Sequence, residues 1–100
     1  MEETLYYFLL NSLNDSDTSD LGIYNLKELT PYMTVLTLSE KFANTNNGVN
    51  CIHFYKNECN LLDVEYLFLS NRTRSIKKTV YNLSEDRIIQ SLNDILGVSL

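Results

Sequence analysis

The sequence predicts an α+β domain of two layers: an N-terminal helix, a four-stranded antiparallel sheet, and a C-terminal helix packed on that sheet. Two observations carry this prediction. Apolar residues recur at helical spacing near both ends of the chain, and they alternate with polar residues in part of the middle. The chain has 100 residues, of which 44% are hydrophobic and one is proline, so we expect one globular domain over residues 1–100.

The first helix is predicted over Glu3–Leu13. Acidic Glu2 and Glu3 precede its body, and carboxylates are favourable at the positive N-terminal end of a helix. Its apolar side repeats at helical spacing and consists of Leu5, Phe8, Leu9 and Leu13.

A polar, acidic loop over residues 14–20 follows this helix. After the loop, Tyr24–Leu29 is predicted to form one or two helical turns. Pro31 ends them, because a proline disfavours helical geometry in the residue before it, here Thr30.

The middle of the chain predicts two strands, Met33–Leu38 and Val49–Tyr55, which are rich in β-branched and aromatic residues. Asn47 and Gly48 form a dipeptide that is typical of tight hairpin turns. A two-residue turn at this point would place Lys41 opposite Phe54, which is a poor cross-strand pair. We therefore expect a longer loop in this hairpin.

The next two strands show the clearest alternation, over Leu62–Phe68 and Ile76–Asn82. A hairpin centred on Arg72 would pair Phe68 with Ile76 and Val64 with Val80. This register collects the apolar even-numbered positions on one face and leaves the charged odd-numbered positions on the other.

The C-terminal helix has a start and a stop signal. Ser84 is a typical N-cap, and Gly97 is a typical C-terminal residue. We expect the helix to pack on the even-numbered face of the sheet, on Val64, Tyr66, Phe68, Ile76 and Val80. Its apolar stripe consists of Ile88, Ile89, Leu92, Ile95 and Leu96.

A winged helix-turn-helix is the alternative fold. Leu36–Asn44 and Asn50–Asn60 would then be its second and third helices, and Tyr81–Leu96 its closing helix. Residues 71–92 (NRTRSIKKTVYNLSEDRIIQSL) resemble the passage from wing to helix in winged-helix regulators. That resemblance implies a DNA-binding transcription regulator whose basic hairpin contacts the phosphate backbone through Arg72, Arg74, Lys77 and Lys78.

No sequence pattern of catalysis or cofactor binding is present. His53 is the single histidine, and we interpret it as a partly exposed strand residue. Cys51 and Cys59 lack the spacing of a zinc site, so we expect two free thiols, with Cys51 buried. The three glycines lie too far apart for a phosphate-binding loop. The sequence therefore predicts a protein that is not an enzyme and has no metal or cofactor.

The acidic loop partly fits a calcium-binding EF-hand loop that starts at Asp17. Gly22 and Glu28 fall at the positions that such a loop requires, but Leu21 stands where an oxygen ligand is needed. A solvated loop is the favoured interpretation, and a weak cation site within residues 14–28 is the alternative.

The net charge of −5 argues against a whole-domain basic surface for nucleic acid. We expect a small acidic protein that binds another protein with a basic surface, as phage-type inhibitors and immunity proteins for toxic nucleases do. The tyrosines support this, because surface tyrosine is enriched where proteins meet. The expected contact residues are Glu2, Glu3, Tyr6, Asp15, Asp17, Asp20 and Tyr24.

The chain shows neither a signal peptide nor an apolar run of the roughly 20 residues that a membrane helix needs. Two cysteines are also too few for a disulfide scaffold. We therefore expect a cytoplasmic setting. The oligomeric state is not indicated by the sequence.

Overall fold

The computed structural model describes residues 4–39, 47–68 and 76–100, with side chains from residue 78 onward in the last segment. It confirms an α+β architecture with a helix near each end of an antiparallel sheet. The sheet has five strands, one more than expected. The elements in chain order are α1 (Leu5–Asn14), β1 (Ile23–Thr30), β2 (Met33–Leu38), β3 (Val49–Lys56), β4 (Leu62–Phe68), β5 (Ile76–Leu83), a short 3₁₀ turn (Glu85–Arg87) and α2 (Ile88–Leu96).

Every strand pairs with its neighbour in sequence, so the sheet order is β1-β2-β3-β4-β5 and all pairs are antiparallel. The strands β1 and β5 lie at the two edges. Because neighbouring strands run in opposite directions, the connections alternate between the two ends of the sheet. The loops before β1 and β3 lie at one end, together with the end of β4. The turns after β1 and β3 lie at the other end.

The additional strand is β1, where helical turns were expected, and that prediction is wrong. Thr30 pairs with Met33, so Pro31 and Tyr32 form the two central positions of a tight turn into β2. Proline is favoured at the first central position of such turns because its ring fixes φ. The Thr30 hydroxyl accepts a hydrogen bond from the Tyr32 backbone N–H at 3.1 Å.

The predicted register of the last hairpin is confirmed. Phe68 pairs with Ile76 and Val64 with Val80, as the alternating pattern required. The loop between β2 and β3 is also longer than a two-residue turn, because Thr34 is the residue opposite Phe54. Residues 40–46 of that loop, and residues 69–75 of the last hairpin, lie outside the described residues.

One face of the sheet forms the core, and both helices contribute to the same buried cluster. From α1 the buried residues are Leu5, Leu9 and Leu13, with Phe8 partly buried against them. From α2 they are Ile88, Leu92 and Leu96, whereas Ile89 and Ile95 are only partly buried. The sheet contributes Leu36, Leu38, Val49, Ile52, Phe54, Leu62, Val64 and Tyr66, and the loop before β1 contributes Leu21.

The C-terminal helix starts differently from the prediction. Ser84 precedes the 3₁₀ turn, and its side chain makes no capping hydrogen bond to a backbone N–H. The Ser84 hydroxyl bonds instead to the Asp86 carboxylate and lowers the pKa of that carboxyl group. Gly97 ends the helix as expected, with φ 69 in the left-handed region, where glycine is favoured.

The winged-helix alternative is wrong. Residues 49–56, which would carry the recognition helix, form β3 in the centre of the sheet, and residues 33–38 form β2. Cys51, Ile52 and Phe54 are poor helix formers that suit a half-buried pleated strand, and their cross-strand partners keep them there.

Candidate protein-binding surface

The acidic loop connects the end of α1 to the start of β1 and exposes three carboxylates. Asp15 caps the C-terminus of α1, where its backbone N–H bonds to the carbonyls of Asn11 and Leu13. Asp17 and Asp20 follow within five residues, and all three aspartates are exposed. We call Asp15, Asp17 and Asp20 the acidic cluster.

Asp17 is held in a defined local geometry by Ser19. One carboxylate oxygen, Oδ1, accepts hydrogen bonds from the Ser19 hydroxyl at 2.7 Å and from the Ser19 backbone N–H at 3.2 Å. Both bonds favour the ionised form, and they lower the pKa of Asp17. Asp17 is therefore an anion at neutral pH.

The far end of this loop is anchored to the core. Leu21 is fully buried, and its backbone N–H donates to the carbonyl of Thr18 at 3.0 Å. Gly22 takes φ 60, and its carbonyl accepts from the Ser39 N–H at 2.7 Å, next to the first pair of β1 and β2. The burial of one leucine thus fixes the loop while its aspartates remain in solvent.

This anchoring also argues against the calcium loop. In an EF-hand, the ligand positions curl around the ion and an exiting helix follows. Here the Leu21 position points into the core, and Glu28 lies on the extended strand β1. No group of three His, Cys, Asp or Glu side chains within residues 4–39, 47–68 and 76–100 is arranged to hold a metal ion.

The two tyrosines of the predicted surface differ in position. Tyr24 is 80% exposed, and it follows the acidic cluster by four residues. Tyr6 lies in the first turn of α1, with its ring centre 5.3 Å from that of Tyr7 in an edge-to-face arrangement. At 1.5 Å per residue the helix separates Tyr6 from Asp15 by about 13 Å. Tyr24 thus follows the acidic cluster along the chain, whereas Tyr6 lies at the other end of α1.

Several of the other predicted contact residues lie outside the described part of the chain. Glu2 and Glu3 lie outside the described residues, as do Arg72 and Arg74 of the basic hairpin. Lys77 is placed on β5 by its backbone alone. Lys78 is exposed on this edge strand and lines a groove against α2 of about 430 Å³, together with Val80, Leu83, Arg87 and Ile95.

His53 and Cys51 lie on the sheet face opposite the core, and Cys59 is exposed in the turn between β3 and β4. His53 is partly exposed, as predicted; its Nδ1 is 3.1 Å from Oε1 of Glu65 on β4 and 3.3 Å from the Tyr55 hydroxyl. Both cysteines are free thiols. Cys51 is half-buried, although we expected it in the core, because it lies on the face of β3 opposite that of buried Ile52 and Phe54. Burial raises the pKa of its thiol.

Sequence reasoning missed the exposure of β1. Four large apolar side chains of the segment from Ile23 to Tyr32 are exposed: Ile23, Tyr24, Leu29 and Tyr32. Their residue types alone do not distinguish an edge strand from an internal one. Ile23, Tyr24 and Leu29 stay in solvent on a strand that lies at the edge of the sheet with a single neighbour, and Tyr32 lies in the turn that follows it.

Comparison with known proteins adds no relative. No family matches the chain, and neither a curated protein nor a solved structure is detectably similar to it. None of the helices among the described residues is long and apolar enough to cross a membrane.

Proposed function

We propose that this chain is a non-enzymatic protein that acts by binding another protein, and that the acidic cluster with Tyr24 contacts a basic surface of that partner. One observation carries the proposal. Three exposed aspartates project from one anchored loop, and none has a basic partner within ion-pair distance among the described residues.

Anions that are fixed in place but not neutralised are suited to steering and orienting a positively charged partner. Asp17 supports this role most directly, because its hydrogen bonds with Ser19 hold the carboxylate ionised and oriented. Tyr24 adds a large, exposed aromatic ring four residues after Asp20, and aromatic residues are enriched at the centres of protein interfaces.

The basic surface of the partner is proposed to be one that otherwise holds nucleic acid. The chain would then be an inhibitor or immunity-type protein, of the size and charge that phage-type inhibitors have. The net charge of −5 supports this, because a phosphate-binding surface attracts anions. The argument for this class of target is by analogy of size and charge.

The proposal involves no catalytic step and no cofactor. Its setting is the cytoplasm, which the two free thiols, Cys51 and Cys59, support. Glu2, Glu3 and Tyr6 are included as further contact residues.

Affinity capture from the native host tests the proposal. The wild-type chain is compared with a variant in which all three aspartates of the acidic cluster are changed to asparagine, which keeps the side-chain shape and one acceptor oxygen. We expect capture of a basic protein whose affinity falls steeply with added salt. We expect the triple variant to lose most of this binding and its salt dependence.

A matched control removes the same number of charges elsewhere. Glu58, Glu85 and Asp94 are exposed and belong to other elements than the acidic loop. The variant Glu58→Gln, Glu85→Gln, Asp94→Asn loses the same three charges as the test variant. Equal loss of binding in the two variants, a salt-insensitive complex, or retention of the chain on a heparin column would contradict the proposal.

A further inference from the structure

The last turn of α2 is held by a side chain that lies 48 residues earlier in the chain. The Asn47 carboxamide donates a hydrogen bond through Nδ2 to the backbone carbonyl of Ile95 at 3.1 Å. Carbonyls in the last turn of a helix have no partner within the helix, so this bond satisfies one of them. The carboxamide also lies against the helix stop, because a Cβ atom added to Gly97 would be 2.8 Å from Nδ2. Asn47 thus connects the turn before β3 to the C-terminal end of α2.

The same residue has the local sequence of a reactive asparagine. The backbone nitrogen that follows an asparagine can attack Cγ of its carboxamide, and the side chain of the following residue hinders this attack. Asn47 is exposed and is followed by Gly48, which has no side chain. It is the one asparagine of the twelve in the sequence that glycine follows.

We propose that Asn47 is a site of spontaneous deamidation, and that its products weaken the attachment of α2. The Gly48 nitrogen forms a bond to Cγ of Asn47, the bond from Cγ to Nδ2 breaks, and the proton of the attacking nitrogen leaves with the amide as ammonia. Water then opens the resulting five-membered succinimide and yields aspartate or isoaspartate. The reaction needs water alone as co-reactant. The inference does not rest on the proposed function, because neither the acidic cluster nor Tyr24 takes part in it.

The hydrogen bond to Ile95 has to open before the carboxamide reacts. This bond is exposed. Opening it costs little, because water replaces the lost partner on each side. The bond therefore slows the reaction without preventing it.

Deamidation reverses the contact with α2. A carboxylate oxygen, which only accepts hydrogen bonds, takes the place of the donor Nδ2. This oxygen faces the Ile95 carbonyl at the negative end of the helix dipole, where an anion is destabilising. Isoaspartate also lengthens the backbone by one carbon atom, two residues before the fully buried Val49. Both products therefore weaken the attachment of the helix end.

Ageing of the full chain in mildly alkaline buffer, followed by peptide mapping with mass spectrometry, tests the reaction. Asn60 and Asn82 are internal controls, because both are exposed and have left-handed φ values of 59 and 57, close to the 55 of Asn47. Leucine follows each of them. We expect aspartate and isoaspartate to accumulate at position 47 well before either control. Equal conversion at the three positions, or an intact Asn47 after several half-lives of the chain aged in denaturant, would overturn the proposal.

The substitution Asn47→Asp reproduces one product and tests its effect on α2. Aspartate tolerates the left-handed region as asparagine does, so the change introduces no new backbone strain. Asn60→Asp is the matched control, because it adds the same charge at the same φ in the turn between β3 and β4. Asn47→Asp should lower the melting temperature by about 4–8 °C, as the loss of one hydrogen bond predicts for a domain of this size. Asn60→Asp should leave it unchanged, and equal melting temperatures of the two variants would overturn the attachment of α2 through Asn47.

Discussion

The hydroxyl oxygens of Tyr66 and Ser91 lie 2.7 Å apart inside the core, where β4 meets α2. Tyr66 is fully buried, and Ser91 is the one buried polar residue of the described α2 helix. The pair places a hydrogen bond between the sheet and the C-terminal helix, in a region otherwise packed by apolar side chains. Each hydroxyl thereby satisfies the other where water is excluded.

The first prediction concerns this pair. Ser91→Ala leaves the Tyr66 hydroxyl buried without its partner and should lower the free energy of unfolding by about 1–3 kcal/mol. The double variant Tyr66→Phe, Ser91→Ala removes both hydroxyls and should be more stable than the sum of the single effects predicts. Urea denaturation of the four proteins checks this, and strictly additive losses would show that the two hydroxyls do not interact.

The second prediction is a loss of stability at high pH. Burial raises the pKa of Tyr66 from 10.0 to about 12. In this pH range the unfolded chain releases the tyrosine proton before the folded chain does, so stability falls as pH rises from 10 to 12. The loss corresponds to about 3 kcal/mol.

Unfolding free energies of the wild-type chain and Tyr66→Phe, measured across this range, isolate the contribution of the one hydroxyl. Other groups also titrate there, but they do so in both proteins. We expect the wild-type curve to fall more steeply than that of the variant. Parallel curves would mean that Tyr66 ionises as easily in the folded chain as in the unfolded one.

The third prediction tests how α2 is held. Leu92 is 1% exposed, and Leu92→Ala should lower the free energy of unfolding by about 2–5 kcal/mol through lost burial and a cavity. Gln90 lies on the exposed side of the same helix, where it bonds to Asp94 at 2.7 Å. Gln90→Ala should change stability by no more than about 0.5 kcal/mol, as expected for an exposed helix pair. Thermal melting distinguishes the two, and equal melting temperatures would place the apolar side of α2 off the core.

The fourth prediction is a stabilising substitution. Thr34 is fully buried on β2 opposite Phe54, and its hydroxyl has no hydrogen-bond partner in the part of the chain that the structure describes. Thr34→Val keeps the shape, suits a strand and removes the desolvated hydroxyl, so it should raise the free energy of unfolding by about 1–2 kcal/mol.

The same change on the other face of β2 is the control. Thr37 is only partly buried, and its side chain bonds to Cys51, so Thr37→Val should bring no comparable gain. Denaturation midpoints measured at one pH compare the two variants. A destabilised Thr34→Val would indicate that the hydroxyl has a partner in solution.

The parts of the fold that were predictable are those in which burial imposes a pattern. Val64 and Val80 alternate with polar neighbours because one side of each strand faces the core, and this determined the register. β1 shows no alternation of apolar and polar residues, because nearly all of the strand is exposed. Pro31 was then the one local signal for the structure of this segment. A proline fits a turn after a helix as well as a turn inside a hairpin, so it did not reveal the strand. The burial of Ser91 could not be predicted for a different reason. A serine can be buried at this position because Tyr66, which is distant in sequence, supplies its hydrogen-bond partner.

The candidate surface was predictable to a similar extent. Asp15, Asp17 and Asp20 could be recognised from sequence, since a run of polar and acidic residues has no place in a core. The role of Leu21 in anchoring them was not recognisable, because a leucine beside a polar loop is as common on a surface as beneath it. The exposure of Tyr24 depends on the sheet order, which local sequence does not specify.

The meander order has a consequence for how the chain acquires its structure. Each strand joins the one that precedes it, so every pairing closes a short loop, and the entropy lost in closing a loop grows with its length. The strand pairings of such a sheet are local in sequence, and local pairings favour faster folding than the long-range pairings of other β-rich topologies. Only the docking of the N-terminal and C-terminal helices on a common face requires distant parts of the chain to meet.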